Sequence, residues 1–163
     1  MKALRILVGI LVGLAVAGVA LYFGARFHDG PLAMIPGGPL RSGDWVEAPP
    51  ADWSFAKELG EIELQLESQQ ISRTTWILVR DGVAYIPCSL SFPPGKNWYE
   101  EAQRDGRAVL RIEGRRYRAL LSRDDDPTLA GFARPEVERK YGAPPPSDAG
   151  VLFFRVMDRS GAE

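Results

Sequence analysis

Few residues in this 163-residue chain could do acid–base, nucleophilic or metal chemistry unaided. Cys88 is the one cysteine and His28 the one histidine. A thiol beside an imidazole is a nucleophile and its base. Here, however, His28 adjoins an apolar N-terminal segment and Cys88 falls in the middle of a β-rich run. A single thiol excludes an internal disulfide and a multi-thiolate metal site, so the metal expectation is none. Cys88 reads as a small buried hydrophobe, and His28 as a residue at the edge of the apolar segment. Glu100 and Glu101 read as a charge pair at a helix start. Asp124, Asp125 and Asp126 read as a helix cap rather than as paired catalytic carboxylates or a calcium loop. The glycines between 29 and 51 make no phosphate loop, because no Gly-Lys-Ser/Thr follows and no strand leads in. Twenty lysines and arginines face 21 aspartates and glutamates, which argues against nucleic acid, whose binding needs a basic face. No catalytic residue is assigned from residue types alone.

The elements that must position any site begin with an apolar run. Residues 6–25, "ILVGILVGLAVAGVALYFGA", carry no charge. At ~1.5 Å per residue such a helix just crosses a hydrocarbon core of ~30 Å. A cleaved signal peptide is the competing reading, since "AVA" and "GVA" within the run resemble small-residue cleavage sites. The run continues past both, as a retained anchor in membrane lipid would. Lys2, Arg5 and the amino terminus outweigh Arg26, which places the N-terminus in the cytoplasm and the body outside it. Gly9, Gly13 and Ala17 recur every four residues, a small-residue stripe that lets two helices approach. Lack of disulfides suits a reducing compartment but also many exported proteins, so compartment stays open on that count. The expected division is an anchor over 1–27, a Pro/Gly-rich connector over 28–52 and a body over 53–163. The connector holds Met34, Ile35 and Trp45, too apolar for a loose tether, so it should pack on the body or the membrane surface.

In the body, strands dominate. "EIELQLE" (61–67) alternates apolar and polar residues, as a half-buried strand does. "TTWILVR" (74–80) and "VAYIPCS" (83–89) are joined by Asp81-Gly82, a strong hairpin signal. "AVLRI" (108–112) and "RRYRALLS" (115–122) flank Glu113-Gly114, a second hairpin. "VLFFRVM" (151–157) is a sixth strand, with Val151, Phe153 and Arg155 opposite Leu152, Phe154 and Val156. Asn97 caps a short helix that stops at Gly106. Asp126 and Pro127 open another, which Pro135 should break into two short pieces, the second closed by Gly142. Six short antiparallel strands with a helix between hairpins argue for a small barrel, because closure removes exposed edges.

This order resembles the split β-barrel flavoproteins, the pyridoxamine 5'-phosphate oxidase-like group and its deazaflavin-dependent, nitroreductase-like branch. The matching stretch runs from about Thr74 to Asp126: a strand ending "VRDG", a serine-bearing loop, "KNWYEEAQRDGRAVLRI" and "EGRRYRALLSR". The expected fold is therefore mainly β with short helices, a six-stranded antiparallel split β-barrel behind a single transmembrane helix. The resemblance implies a homodimer with FMN or a deazaflavin between barrels, its phosphate held by side chains of the second and third strands and the following loop. Carried over by position, the cofactor-binding candidates are Arg73, Thr74 and Thr75, then Ser89, Ser91 and Lys96, with Trp98 closing the ring pocket. Such convergent cations and hydroxyls suit a phosphate, and redox on a small-molecule substrate would then belong to the cofactor. Each residue has a plainer role open to it: Thr74 and Thr75 as strand formers, Arg73 and Lys96 as solvated charges, Ser89 and Ser91 as turn residues before Pro93-Pro94, Trp98 as a core anchor. The loop "SLSFPPGK" is richer in proline and poorer in glycine than the family's. A membrane-anchored binding or assembly module of the same fold, without cofactor or catalysis, is the alternative.

Overall fold

The computed structural model describes residues 1–48, 50–142 and 150–159. A 23-residue helix, α1 (Lys2–Gly24), leads through a short 3-10 turn at Ala25–Phe27 into the connector. There follow β1 (Asp44–Trp45), β2 (Glu61–Leu66), β3 (Ile71–Trp76), β4 (Leu78–Arg80) and β5 (Val83–Ser89). Then come α2 (Trp98–Arg104), β6 (Arg107–Ile112), β7 (Arg115–Asp124), α3 (Thr128–Tyr141) and β8 (Val151–Asp158). No side chain of α1 is buried; with a mean hydropathy of 2.6 the helix is long and apolar enough to span a membrane, a criterion that a signal sequence also meets.

Both hairpins form where their turn residues demand. Asp81 and Gly82 have φ of 51° and 76°, and Glu113 and Gly114 have 49° and 78°. Two successive left-handed residues give the turn whose twist matches that of its flanking strands. The "TTWILVR" run, however, does not remain one strand. It is interrupted at Ile77, so that β3 pairs with β2 while β4 pairs with β5. The strand order is β3-β2-β6-β7-β8-β5-β4, with β1 in a two-residue parallel pairing to β7. One continuous run thus supplies both ends of the path. This division and the short β1 from the connector make eight strands instead of the six expected.

The Ile77 corner has its own support. The interruption takes the Ile77 carbonyl out of the ladder, and the Lys140 ammonium at the end of α3 donates to it at 2.9 Å and to the Leu59 carbonyl at 2.8 Å. Tyr141 stacks on Trp76 at 4.0 Å and donates its hydroxyl to the Gly60 carbonyl. These contacts explain a second departure from expectation. α3 runs unbroken through Pro135, although an internal proline costs a helix ~3 kcal/mol. Leu129 and Ala133 before the proline and Val137 after it are all buried against Leu78, Tyr85 and Phe153, and each large apolar side chain so buried returns ~1.5–3 kcal/mol. Packing on both sides of the proline holds the helix in one piece, and Gly142 ends it in the left-handed conformation.

β8 divides as its alternation requires: Leu152, Phe154 and Val156 join the main core with Leu64, Leu66, Ile86 and Leu110, while Val151 and Phe153 face α3. α2 starts after Asn97, but through backbone geometry, since the Asn97 side chain makes no capping bond. At α3, Asp126 accepts the Thr128 N–H at 2.8 Å.

The connector is docked along β2, β3 and β7. Ser72, fully buried, exchanges backbone bonds with Gly37 and donates its hydroxyl to the Gly38 carbonyl at 2.6 Å. Gly37 lies so close to Gly30 that a Cβ would fall 1.8 Å from its carbonyl oxygen. Asp29 accepts the N–H groups of Arg41 and Ser42 at 2.7 and 3.0 Å and pairs with Arg111 at 3.0 Å, while Arg111 also pairs with Glu63. Burial works to raise the Asp29 pKa, but the bonds from Ser42, Arg41 and Arg111 outweigh it and hold the carboxyl well below its usual range.

If Lys140 holds the corner, Lys140→Met should lower the unfolding free energy by about 1.5–3 kcal/mol, the scale of a hydrogen bond to a charged group. Denaturant unfolding of the detergent-solubilised chain checks this; an unchanged midpoint would show that the corner stands without the ammonium.

Candidate functional site

Beyond Ile77, β3 and β5 come side by side without forming a ladder. Apart from the Gly37 bridge at Ser72, the outer edge of β3 has no ladder partner among the described residues. A cleft of about 640 Å³ opens at this gap, within the ~300–1,000 Å³ range of ligand sites. Its walls come from β3, β5, the loop after β5, the face of α3, the start of β8 and Ala33–Met34 of the connector.

Six of the seven residues singled out by resemblance line this cleft: Arg73, Thr74, Thr75, Ser89, Lys96 and Trp98. Ser91 does not line it; its hydroxyl meets that of Ser89 at 3.2 Å. The six do not stand alike. Arg73 pairs across the ladder with Leu64, and Thr75 with Ile62. Directly opposed residues share a face, and Leu64 and Ile62 are core, so Arg73 and Thr75 point to the inner side of the sheet. Thr74 points the other way and donates its hydroxyl to the Ala33 carbonyl at 2.7 Å, which ties the connector down. Ser89 accepts the Phe92 N–H at 3.3 Å and so shapes its own loop.

Arg73 is the unusual residue. Its guanidinium lies over the Trp98 ring at 5.3 Å and one terminal nitrogen donates to Gln69 at 3.1 Å. Its Nε is buried with no hydrogen-bond partner, and no carboxylate pairs with it among the described residues. Burial pulls its pKa down to about 10, far below an ordinary arginine. Lys96 donates to the Phe92 carbonyl, and burial lowers its pKa too. Trp98 is only 6% exposed; Arg73 covers one face and Phe154 packs at 5.5 Å. The indole is therefore a wall of the cleft, with one face already covered by the Arg73 guanidinium. Burial pushes the Cys88 thiol up to about 11 despite the charges of Lys96 and Arg73.

The α3 wall was missing from the sequence-based set. Ala130, Ala133, Arg134 and Val137 line the cleft at the i, i+3, i+4, i+7 spacing of one helix face. That spacing is present in the sequence, but the break expected at Pro135 hides it. Ala33 and Met34 were missed because nothing local tells a docked connector where it lies. Arg134 has no ion-pair partner among the described residues, so three cations (Arg73, Lys96 and Arg134) face one lining carboxylate, Glu61. An excess of positive charge at an apolar cleft is chemically suited to an anion.

No protein-family model matches the chain, and no curated protein matches it. Two solved structures are similar to it. One is a Listeria innocua protein assigned as a pyridoxamine 5'-phosphate oxidase, with 13% identity and a TM-score of 0.46, over 61% of this chain and 82% of that one. The other is a NimC/NimA family protein from Clostridium acetobutylicum, with 18% identity and a TM-score of 0.45, over 60% of this chain and 75% of that one. Likeness at this level does not say what this chain binds or does.

With a pKa of about 11, Cys88 has a thiolate fraction on the order of 10⁻⁴ near pH 7. The native protein should therefore resist iodoacetamide and react only once unfolded, as read by intact mass. Rapid native alkylation would contradict this burial.

Proposed function

We propose that this chain is a membrane-anchored split β-barrel protein that binds a flavin-type cofactor, FMN or a deazaflavin, in the cleft between β3 and β5 for redox on a small molecule. The observation that carries the reading is Arg73: an inward-facing arginine whose buried Nε has no partner among the described residues, beside Lys96, with no carboxylate among those residues in an ion pair with either. Leaving a buried charged donor unsatisfied is costly, and a phosphate monoester supplies the missing acceptors. Arg73, Lys96 and the Thr75 hydroxyl are the groups that would hold it. Thr74 and Ser89 act one step back, by fixing the connector and the loop. Phe153 and Val137, both buried, exclude water from the inner wall. When bound, the flavin would supply the two-electron chemistry that the chain's own residues lack. The run that is interrupted at Ile77 and serves both ends of the strand path is what supports reading the sheet as a split barrel. A homodimer belongs to the same reading, and α1 would be the anchor, its N-terminus cytoplasmic and the body outside.

The hydroxyls of Thr74 and Ser89 are already engaged within the chain and the Trp98 face is covered, which favours, as a second reading, a binding module of the same fold without the cofactor. An absorbance spectrum of the detergent-purified protein separates the two. Flavin-like visible bands, as purified or after adding FMN or deazaflavin, are expected. A colourless protein that takes up neither would sink the cofactor reading. Lys96→Ala should weaken retention about tenfold or more, since a charge-assisted hydrogen bond contributes ~1.5–3 kcal/mol; unchanged retention would remove Lys96 from the site.

A further inference from the structure

The floor of the cleft and the end of the apolar helix are neighbours. Arg26, in the turn that follows α1, lies close enough to Arg73 for its charge to act on it, and its own Nε is also buried without a partner among the described residues. A few residues on, Ala33 and Met34 form one wall of the cleft. The intervening chain cannot swing out. Gly38 donates to the His28 carbonyl at 3.0 Å, Asp29 is paired to Arg111, and Thr74 holds Ala33. With α1 in a bilayer, the cleft is therefore fixed near the membrane surface. Two lining side chains at that opening are large, apolar and solvent-facing: Met34 is 70% exposed and Phe92 55%. Phe27, beside Arg26, is 83% exposed. Exposed apolar groups that rim a cationic cleft mark a lipid-facing or ligand-binding surface. The charges also leave room for a second anion. Arg26, Arg73, Lys96 and Arg134 stand against Glu61, and a phosphate monoester removes only ~1.5–2 of that positive charge. The remainder includes Arg134, on the opposite wall from the proposed phosphate ligands.

We propose that the substrate class of this cleft is an anionic amphiphile drawn from the bilayer, its head against Arg134 and its apolar chain leaving over Met34 and Phe92. This rests on reading α1 as a membrane anchor and extends the proposed site to its second ligand.

The test uses the full chain in nanodiscs of neutral phosphatidylcholine. Stearate brominated along its chain is the anionic probe, and phosphatidylcholine with brominated chains is the neutral one. Bromine quenches tryptophan at short range, and Trp76 lines the cleft; the Trp76→Phe variant identifies its share of the signal. The expected result is saturable quenching of Trp76 by the stearate at concentrations roughly tenfold below those needed in Arg134→Glu, with no comparable quenching by the neutral probe. Arg134 is exposed, so its replacement should leave the fold intact, as circular dichroism would verify. Equal quenching by both probes, no quenching, or indifference to Arg134→Glu would overturn the proposal. Flavin retention is read on the same samples. Stearate binding without flavin leaves this inference standing and removes the cofactor reading; flavin binding without stearate does the reverse.

Discussion

The structure depends on a corner. A single β-rich run must serve both ends of the strand path, pairing with β2 on one side of Ile77 and with β5 on the other. A strand cannot do both without leaving the ladder between them, and the carbonyl released there needs a donor. Lys140 provides it, which fixes where α3 ends; that in turn lays the Ala130–Val137 face along the gap. The cleft is thus a consequence of topology before it is a site. β3 and β5 are neighbours that do not pair, and helix and connector close the space they leave.

Into that space the fold directs charge instead of apolar volume. Arg73 occupies a position whose cross-strand partner, Leu64, is fully buried core, where a sheet built for stability alone would place another aliphatic residue. The lowered pKa values of Arg73 and Lys96 and the raised one of Cys88 have burial as their first cause, and among the described residues no carboxylate forms an ion pair with either cation. Structural ion pairs elsewhere are satisfied, as Arg111 is by Asp29 and Glu63. Arg111 on β6 has two carboxylate partners, whereas Arg73 on β3 has none among the described residues, and a buried cation without a carboxylate is costly.

Local chemistry was legible in the sequence, and tertiary compensation was not. Asp81-Gly82 and Glu113-Gly114 could be read because a turn of two left-handed residues is specified by the residues themselves. The alternation of β8 could be read because one face meets the core and the other α3. The interruption at Ile77 could not, since nothing in "TTWILVR" distinguishes one strand from two; the bend is set by partners distant in sequence. Pro135 misled for the same reason, as its cost is local and the packing of Leu129 and Val137 that offsets it is not. In the site, resemblance named residues that converge on one cleft, but it could not tell those with open donors, Arg73, Thr75 and Lys96, from Thr74 and Ser89, whose hydroxyls are engaged, or foresee that Arg73 would cover the Trp98 ring.

If the gap between β3 and β5 holds an anion on Arg73, the phosphate of a bound flavin must carry much of its affinity. The most direct measurement is the equilibrium affinity of the purified full chain for FMN and for riboflavin, which share the ring and differ in the phosphate. FMN should bind at least about tenfold more tightly, and Arg73→Gln should remove most of the difference. Equal affinity for the two, in the native chain as in the variant, would contradict it.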